Sequence, residues 1–325
     1  MNKQFVLVLG ICVAMVSGAT WLFGTSSGKT SSLYKSVAAT NPANEPAPAA
    51  LPNSPAVIAQ ANPLAPVSKI AALNNLLLRS DDLRVFTELA KQRPQDGGIY
   101  FAKTINNYCW DVQEFLSSPT SLAANLNESH KVATQRDASV NKLRRLCGGF
   151  LISEANASGF AQLVTGPSAK ADPMLKAEQS AISASLSGDI SQRKAAVQEL
   201  LDSAAPLVIV NAPLGQINSN GGMFFDGKFY GGKNDPQGGL ILQAARLFAA
   251  CKFGDNCGPE DRMLLLPCAV DGVCVNDRFE FVAASFAKNS LTNQQYQEAV
   301  QLSEKMVAAI ESKNVEAFFS TSSLN

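Results

Sequence analysis

Histidine is almost missing from this chain of 325 residues, which has only His130. Any nucleophile-histidine catalysis would have to run through that one side chain, and a zinc site built on imidazole would have a single ligand to recruit. Charge is sparse too. Only 17% of residues are charged, below the usual quarter, and 27 Lys and Arg balance 27 Asp and Glu. That balance excludes the basic footprint of a nucleic-acid binder and any polyacidic tail. No fixed repeat of roughly 30 to 45 residues is present, which sets aside a helical solenoid. What is abundant is apolar: 46% of the chain is hydrophobic, enough to bury a sizeable core in one large or two small domains.

The longest uncharged stretch is FVLVLGICVAMVSGATWLF, Phe5 to Phe23, preceded by Lys3. As a helix it covers roughly 28 Å, close to the thickness of a bilayer's hydrocarbon layer. Residues 1–24 are therefore expected to be a transmembrane anchor, or a signal sequence cleaved near Ser17, Gly18 and Ala19. The anchor is favoured because Trp21, Leu22 and Phe23 carry the apolar run past that point. Either way the remainder is exported, giving a periplasmic protein held in the inner membrane, or a secreted one if the segment is removed. Ile11 stands where a lipoprotein needs a small residue before its cysteine, so Cys12 is a membrane-buried thiol. GTSSGKT, Gly24 to Thr30, has three residues between its first glycine and Gly-Lys where a phosphate-cradling loop has four, so no nucleotide site is expected. Residues 25–67 follow as a linker, with seven prolines between Val37 and Val67. Extended, that tract reaches on the order of 90 Å.

From residue 68 to 325 the hydrophobic period is mostly helical. Ile70, Leu73 and Leu77 form one stripe. A second helix opens at Ser80, with Asp81 and Asp82 in its first turn and Leu83, Phe86 and Ala90 facing inward, and Pro94 halts it. Phe101, Ile105, Tyr108, Cys109, Val112 and Leu116 make a third stripe. Val140, Leu143 and Cys147 make a fourth, on a helix from about Ser129 with Gly148 as its stop. Asp172-Pro173 opens a helix carrying Leu175, Ile182 and Leu186. Asp189 with Gln192 is a capping box for the next, and Thr292 with Gln295 opens the last. Leu240 to Phe253 and Arg278 to Lys288 complete an all-α, irregular array of short antiparallel helices.

Eight glycines between Pro206 and Gly239 mark an insertion, about 206–239, in which MFFDGKFY reads as a β-hairpin turning on Asp226-Gly227. Two readings apply to its aromatics. Phe224, Phe225 and Tyr230 tuck onto the helices, or Phe224, Phe225, Asp226, Phe229 and Tyr230 form a partner-binding loop, since long glycine-rich loops are often binding elements.

Six cysteines fall in the exported part: Cys109, Cys147 and the run Cys251, Cys257, Cys268, Cys274, spaced C-x5-C-x10-C-x5-C. An even count in an oxidising compartment points to disulfides, while gaps of five are too wide for a usual zinc ligand pair. Fifteen connectivities are open. Pairing the inward-facing Cys109 and Cys147 closes a loop of about 39 residues, worth about 4 kcal/mol in chain entropy, against nearer 2.4 for each local seven-residue loop. The segment SDDLRVFTELAKQRPQDGGIYFAKTINNYC, with this cysteine spacing after AARLFAAC, resembles a group of uncharacterised exported proteobacterial helical proteins. The resemblance covers scattered blocks from Ser80 to Lys288 and implies a disulfide-braced α-helical domain with no known activity. The glycine-rich insertion departs from it.

Catalytic patterns are incomplete. His130 reads as solvent-facing. Glu128-Ser129 resembles the Glu-Ser pair of lytic transglycosylases, without the downstream sequence those enzymes carry. Ser191 to Lys194 and Ser285 to Lys288 are Ser-x-x-Lys without companion motifs. Asp255 and Asp271-Gly272 lack the alternating oxygen ligands of a calcium loop. Neither cofactor nor metal nor catalytic residue is expected. The expectation is an envelope adaptor that binds a protein partner, and the alternative is an enzyme acting on peptidoglycan or polysaccharide through carboxylates.

Overall fold

In the computed structural model the described residues are 69–118, 129–150 and 157–320. The apolar run Phe5 to Phe23, the Gly24 to Thr30 stretch, the proline-rich tract and Glu128 lie outside them. Among the described residues no helix is long and apolar enough to cross a membrane.

Local signals start most helices. α1 (Lys69–Arg79) buries Leu73 and Leu77. Asp82 does not sit in the first turn of α2 (Leu83–Lys91), as expected from the sequence, but caps it by accepting from the amides of Arg84 and Val85. α2 packs on α3 (Gly98–Ser117), which follows a left-handed Gly97. α4 (His130–Cys147) is capped by Ser129 and packs on α11 (Leu265–Asp271). Gly148 ends α4 as expected, with a right-handed φ of −62° instead of the left-handed one usual at such stops.

α5 (Ala157–Thr165) and α6 (Pro167–Ala171) lead to α7 (Pro173–Ser187), which pairs with α8 (Ile190–Asp202) across Gly188. The inner face of α7 keeps Leu175 of the expected stripe, half-buries Ile182 and leaves out Leu186. Ala177, Ala181 and Ala184 are buried, and Leu186 is 73% exposed. Small residues let α8 approach α7 closely, so the buried face is the one a hydrophobic count ignores. The insertion is also more ordered than its glycines suggest. It opens with a helix, α9 (Pro206–Asn211), and ends inside α10, which runs Pro236–Lys252 and starts four residues before the expected Leu240. Asp235 caps α10 and Pro236 takes its first position, so Gly238 and Gly239 are carried as helical residues.

Between them β1 (Met223–Phe225) pairs antiparallel with β2 (Lys228–Tyr230), in the register Met223 to Tyr230 and Phe225 to Lys228. Asp226 and Gly227 turn the chain with φ of 48° and 85°, the doubly positive pair a two-residue hairpin requires. The other edge of β1 is bonded as well: Phe224 donates to the Gln216 carbonyl at 2.7 Å and Asp226 to the Ala317 carbonyl at 2.8 Å. α12 (Arg278–Lys288) and α13 (Asn293–Glu311) close the chain, and α13 lies along α10. The architecture is all-α with this single small hairpin, and one contiguous buried cluster runs from Leu73 to Phe319.

Candidate functional site

Three disulfides brace the array in the pairing taken from the sequence. Cys109 and Cys147, Cα atoms 5.3 Å apart, pin α3 to α4. Cys251 joins Cys257 just past the end of α10, and Cys268 joins Cys274 at the end of α11.

The ring closed by Cys251 and Cys257 borders a polar cluster on Arg278, the first residue of α12 and 1% exposed. Its guanidinium donates from Nε to Asp261 Oδ2 at 2.7 Å and from Nη2 to Asp261 Oδ1 at 3.0 Å. Nη1 reaches Asp255 Oδ2 at 2.8 Å, and Nη2 also reaches the Asn256 carbonyl at 3.2 Å. Its own amide donates to the Cys257 carbonyl at 2.9 Å. Burial works against the cation, but Asp261 and Asp255 together hold its pKa above the ordinary value. The Asp261 carboxylate also receives the Met263 amide. Both carboxylates are therefore committed to internal donors. Among the described residues no group of three His, Cys, Asp or Glu side chains is arranged to hold a metal.

A second set of buried polar groups fixes the insertion. Arg246 on α10 donates to the carbonyl of Ile209 at 2.6 Å and to that of Ala212, and Arg193 on α8 donates to that of Gly215. Neither has a carboxylate partner in these bonds, and burial lowers each to about 10. Two cations thus grip three carbonyls of the segment leading from α9 to the hairpin. Nearby, Asp172 serves two helix starts at once: Oδ2 accepts from the amides of Ile99 and Tyr100, at 2.7 and 3.0 Å, and Oδ1 from Leu175 at 2.9 Å. Burial raises its pKa, and the backbone donors oppose that rise. Lys103 pairs with Glu178 beside it. The Tyr100 hydroxyl, wholly buried, has no hydrogen-bond partner among the described residues, and burial lifts its ionisation well above the usual range.

The hairpin aromatics turn inward. Phe224 is 7% exposed, Phe225 1% and Tyr230 6%. Phe225 packs on Phe318 with ring centroids 4.9 Å apart, and Phe224 meets Phe229 edge-on at 5.1 Å. The reading in which Phe224, Phe225 and Tyr230 present themselves to a partner is corrected, because all three side chains are buried and Phe225 is covered by Phe318 of the C-terminal turn. Phe229 is half-buried, and Asp226 stays at the surface, paired with Lys305. β2, the glycine-rich loop and α10 follow one another as in an anion-binding turn, yet the Asp235 carboxylate already accepts from Gly231 and Gly238 there.

His130 is exposed at the start of α4, its Nδ1 3.2 Å from the Thr134 hydroxyl. Lys194 and Lys288 of the two Ser-x-x-Lys stretches pair with Glu316 and Asp271. Sequence reasoning missed Asp111 on α3. Burial, with Glu114 adding to it, pushes this carboxyl up to about 6, within the working range of an acid or base. Its place one turn from Tyr108 and Phe115 on the same helix was the available signal. It also missed the exposed aliphatic pair Val85 and Leu89, one turn apart on α2 and 55% and 42% exposed. No family model, no curated protein and no solved structure matches the chain.

Proposed function

We propose that the chain is an exported domain, tethered to the inner membrane by residues 1–24 through the 25–67 linker, that acts as an adaptor by binding a protein in the cell envelope. The observation carrying this reading is the set of three disulfides, since such bridges persist in oxidising compartments and are rare in reducing ones. The binding part is supported by where polar groups go. The deep cations and carboxylates Arg278, Asp261, Asp255, Arg246 and Asp172 serve internal partners, while Val85 and Leu89 of α2 face outward. The test is a photo-crosslinking residue placed at Val85 or Leu89 in intact cells, with mass spectrometry of the adducts. A reproducible envelope protein captured from these positions, and not from the exposed Leu186, supports the reading. Recovery of no adduct from either position overturns it.

Asp111 favours a second reading, an envelope enzyme acting on peptidoglycan or polysaccharide with a carboxyl as proton donor. Release of soluble sugar fragments from cell-wall material by the wild-type protein, lost in Asp111→Asn, would select it.

A further inference from the structure

The three disulfides differ in what they hold and in how they meet solvent. Cys109 and Cys147 are both 0% exposed. Cys251 and Cys257 are partly exposed, and the residues between them supply acceptors to two other helices. Gly254 accepts at 3.4 Å from the side chain of Asn74, which is 6% exposed on α1. Asp255, Asn256 and Cys257 supply three acceptors to Arg278 at the start of α12, described above. Groups outside the ring hold the same helices too: Asp261 and the Leu247 carbonyl for Arg278, Arg262, which donates to the carbonyls of Leu77 and Ser80, the Lys69–Asp96 pair on α1, and the buried Leu73 and Leu77 of α1 and Val282 and Phe286 of α12.

We infer that the Cys251–Cys257 bridge is a redox latch: a dithiol opens it while Cys109–Cys147 stays closed, and opening loosens α1 and the first turn of α12 without unfolding the domain. One thiolate of the dithiol attacks a ring sulfur, the Cys251–Cys257 bond breaks, and a mixed disulfide forms. The second thiolate then displaces the protein sulfur. The dithiol leaves as its own disulfide, oxidised by two electrons, and its two protons end on Cys251 and Cys257. Access of the reductant decides the order, which is why the sealed bridge lags. Opening is local because Asp261 still neutralises Arg278 and Arg262 still clasps the end of α1. The third bridge, with Cys268 5% exposed and Cys274 partly exposed, bonds none of the Arg278 groups, so its opening leaves that cluster intact.

The experiment is a dithiothreitol titration of the folded full-length protein, with alkylation and mass mapping of each cysteine and hydrogen exchange read in parallel. Expected are alkylation of Cys251 and Cys257 at a dithiothreitol concentration about tenfold below that for Cys109 and Cys147, and amide exchange about tenfold faster in α1 and the first turn of α12. α3 and α4 should stay protected. Reduction of both bridges at one concentration overturns the inference, as does opening of Cys251–Cys257 with unchanged exchange or with loss of protection throughout. The double variant Cys251→Ser and Cys257→Ser provides an independent arm. It should show the faster α1 and α12 exchange without reductant, and wild-type protection there also overturns the latch.

Discussion

Replacing Arg278 with Met separates a structural cluster from a free charged site. The substitution keeps much of the side-chain volume but removes the cation, leaving Asp261 at 3% exposure and Asp255 at 21% facing each other without it. Breaking a buried pair from one side costs about 3–5 kcal/mol, because the surviving charge is left uncompensated. Most of that cost falls on Asp261, the deeper carboxylate that takes two guanidinium bonds. Asp255→Asn, at the more solvated position, should cost nearer 1.5 kcal/mol, the range of one hydrogen bond to a charged group. The double variant Arg278→Met with Asp261→Asn should then be more stable than the two single losses add up to, by about 1–3 kcal/mol of coupling. Urea unfolding of the oxidised protein at neutral pH measures these variants and the single Asp261→Asn, with unchanged denaturant slopes as the check on compactness. The Arg278→Met deficit should also narrow as the pH falls into the carboxylate range, because the orphaned Asp261 is then protonated. A loss below about 0.5 kcal/mol for Arg278→Met, the size of an ordinary surface change, would refute the reasoning.

Two more outcomes follow from the same structure. Because burial holds Asp111 near 6, above its unfolded value of 3.8, the native state keeps its proton longer than the unfolded chain, so Asp111 lowers stability as pH rises from about 4 to 6 and the penalty is then constant. Asp111→Asn should raise stability at pH 8 by up to about 3 kcal/mol and leave it nearly unchanged at pH 3.5, as read by thermal melts at both values. Substituting both Cys109 and Cys147 with Ala should cost about 4 kcal/mol in chain entropy, and the same change at Cys251 and Cys257 about 2.4. Urea midpoints that rank the local pair as the costlier would contradict the separations of 38 and 6 residues that set these values.

What could be read from the sequence was what neighbours in sequence decide. Thr292 and Gln295 form a reciprocal capping box, Asp172 and Asp189 cap the helices they precede, and Asp226-Gly227 makes the hairpin turn. The capping box expected at Asp189 forms one bond, from the Gln192 amide to its carboxylate. Readings failed where packing chose between faces. On α7 the buried face took Ala177, Ala181 and Ala184 and left the expected Leu186 outside, and Gly238-Gly239 hid the first turn of α10 behind low helix propensity. Pro206-Leu-Val-Ile-Val, read only as the start of the insertion, forms α9, and Arg246 of a distant helix takes the carbonyls of Ile209 and Ala212 at its end. The buried arginines were invisible for the same reason. A charged residue is expected at the surface, and the partners of Arg193, Arg246 and Arg278 lie 17 to 37 residues away in sequence.

The most direct test of the central claim, a helical domain braced by three disulfides outside the reducing cytoplasm, is a thiol count on native protein recovered from cells without reductant. After alkylation and digestion, the peptides should carry Cys109 bonded to Cys147, Cys251 to Cys257 and Cys268 to Cys274, with label confined to Cys12. Label on most of those six sulfurs would contradict both the covalent bracing and the exported address.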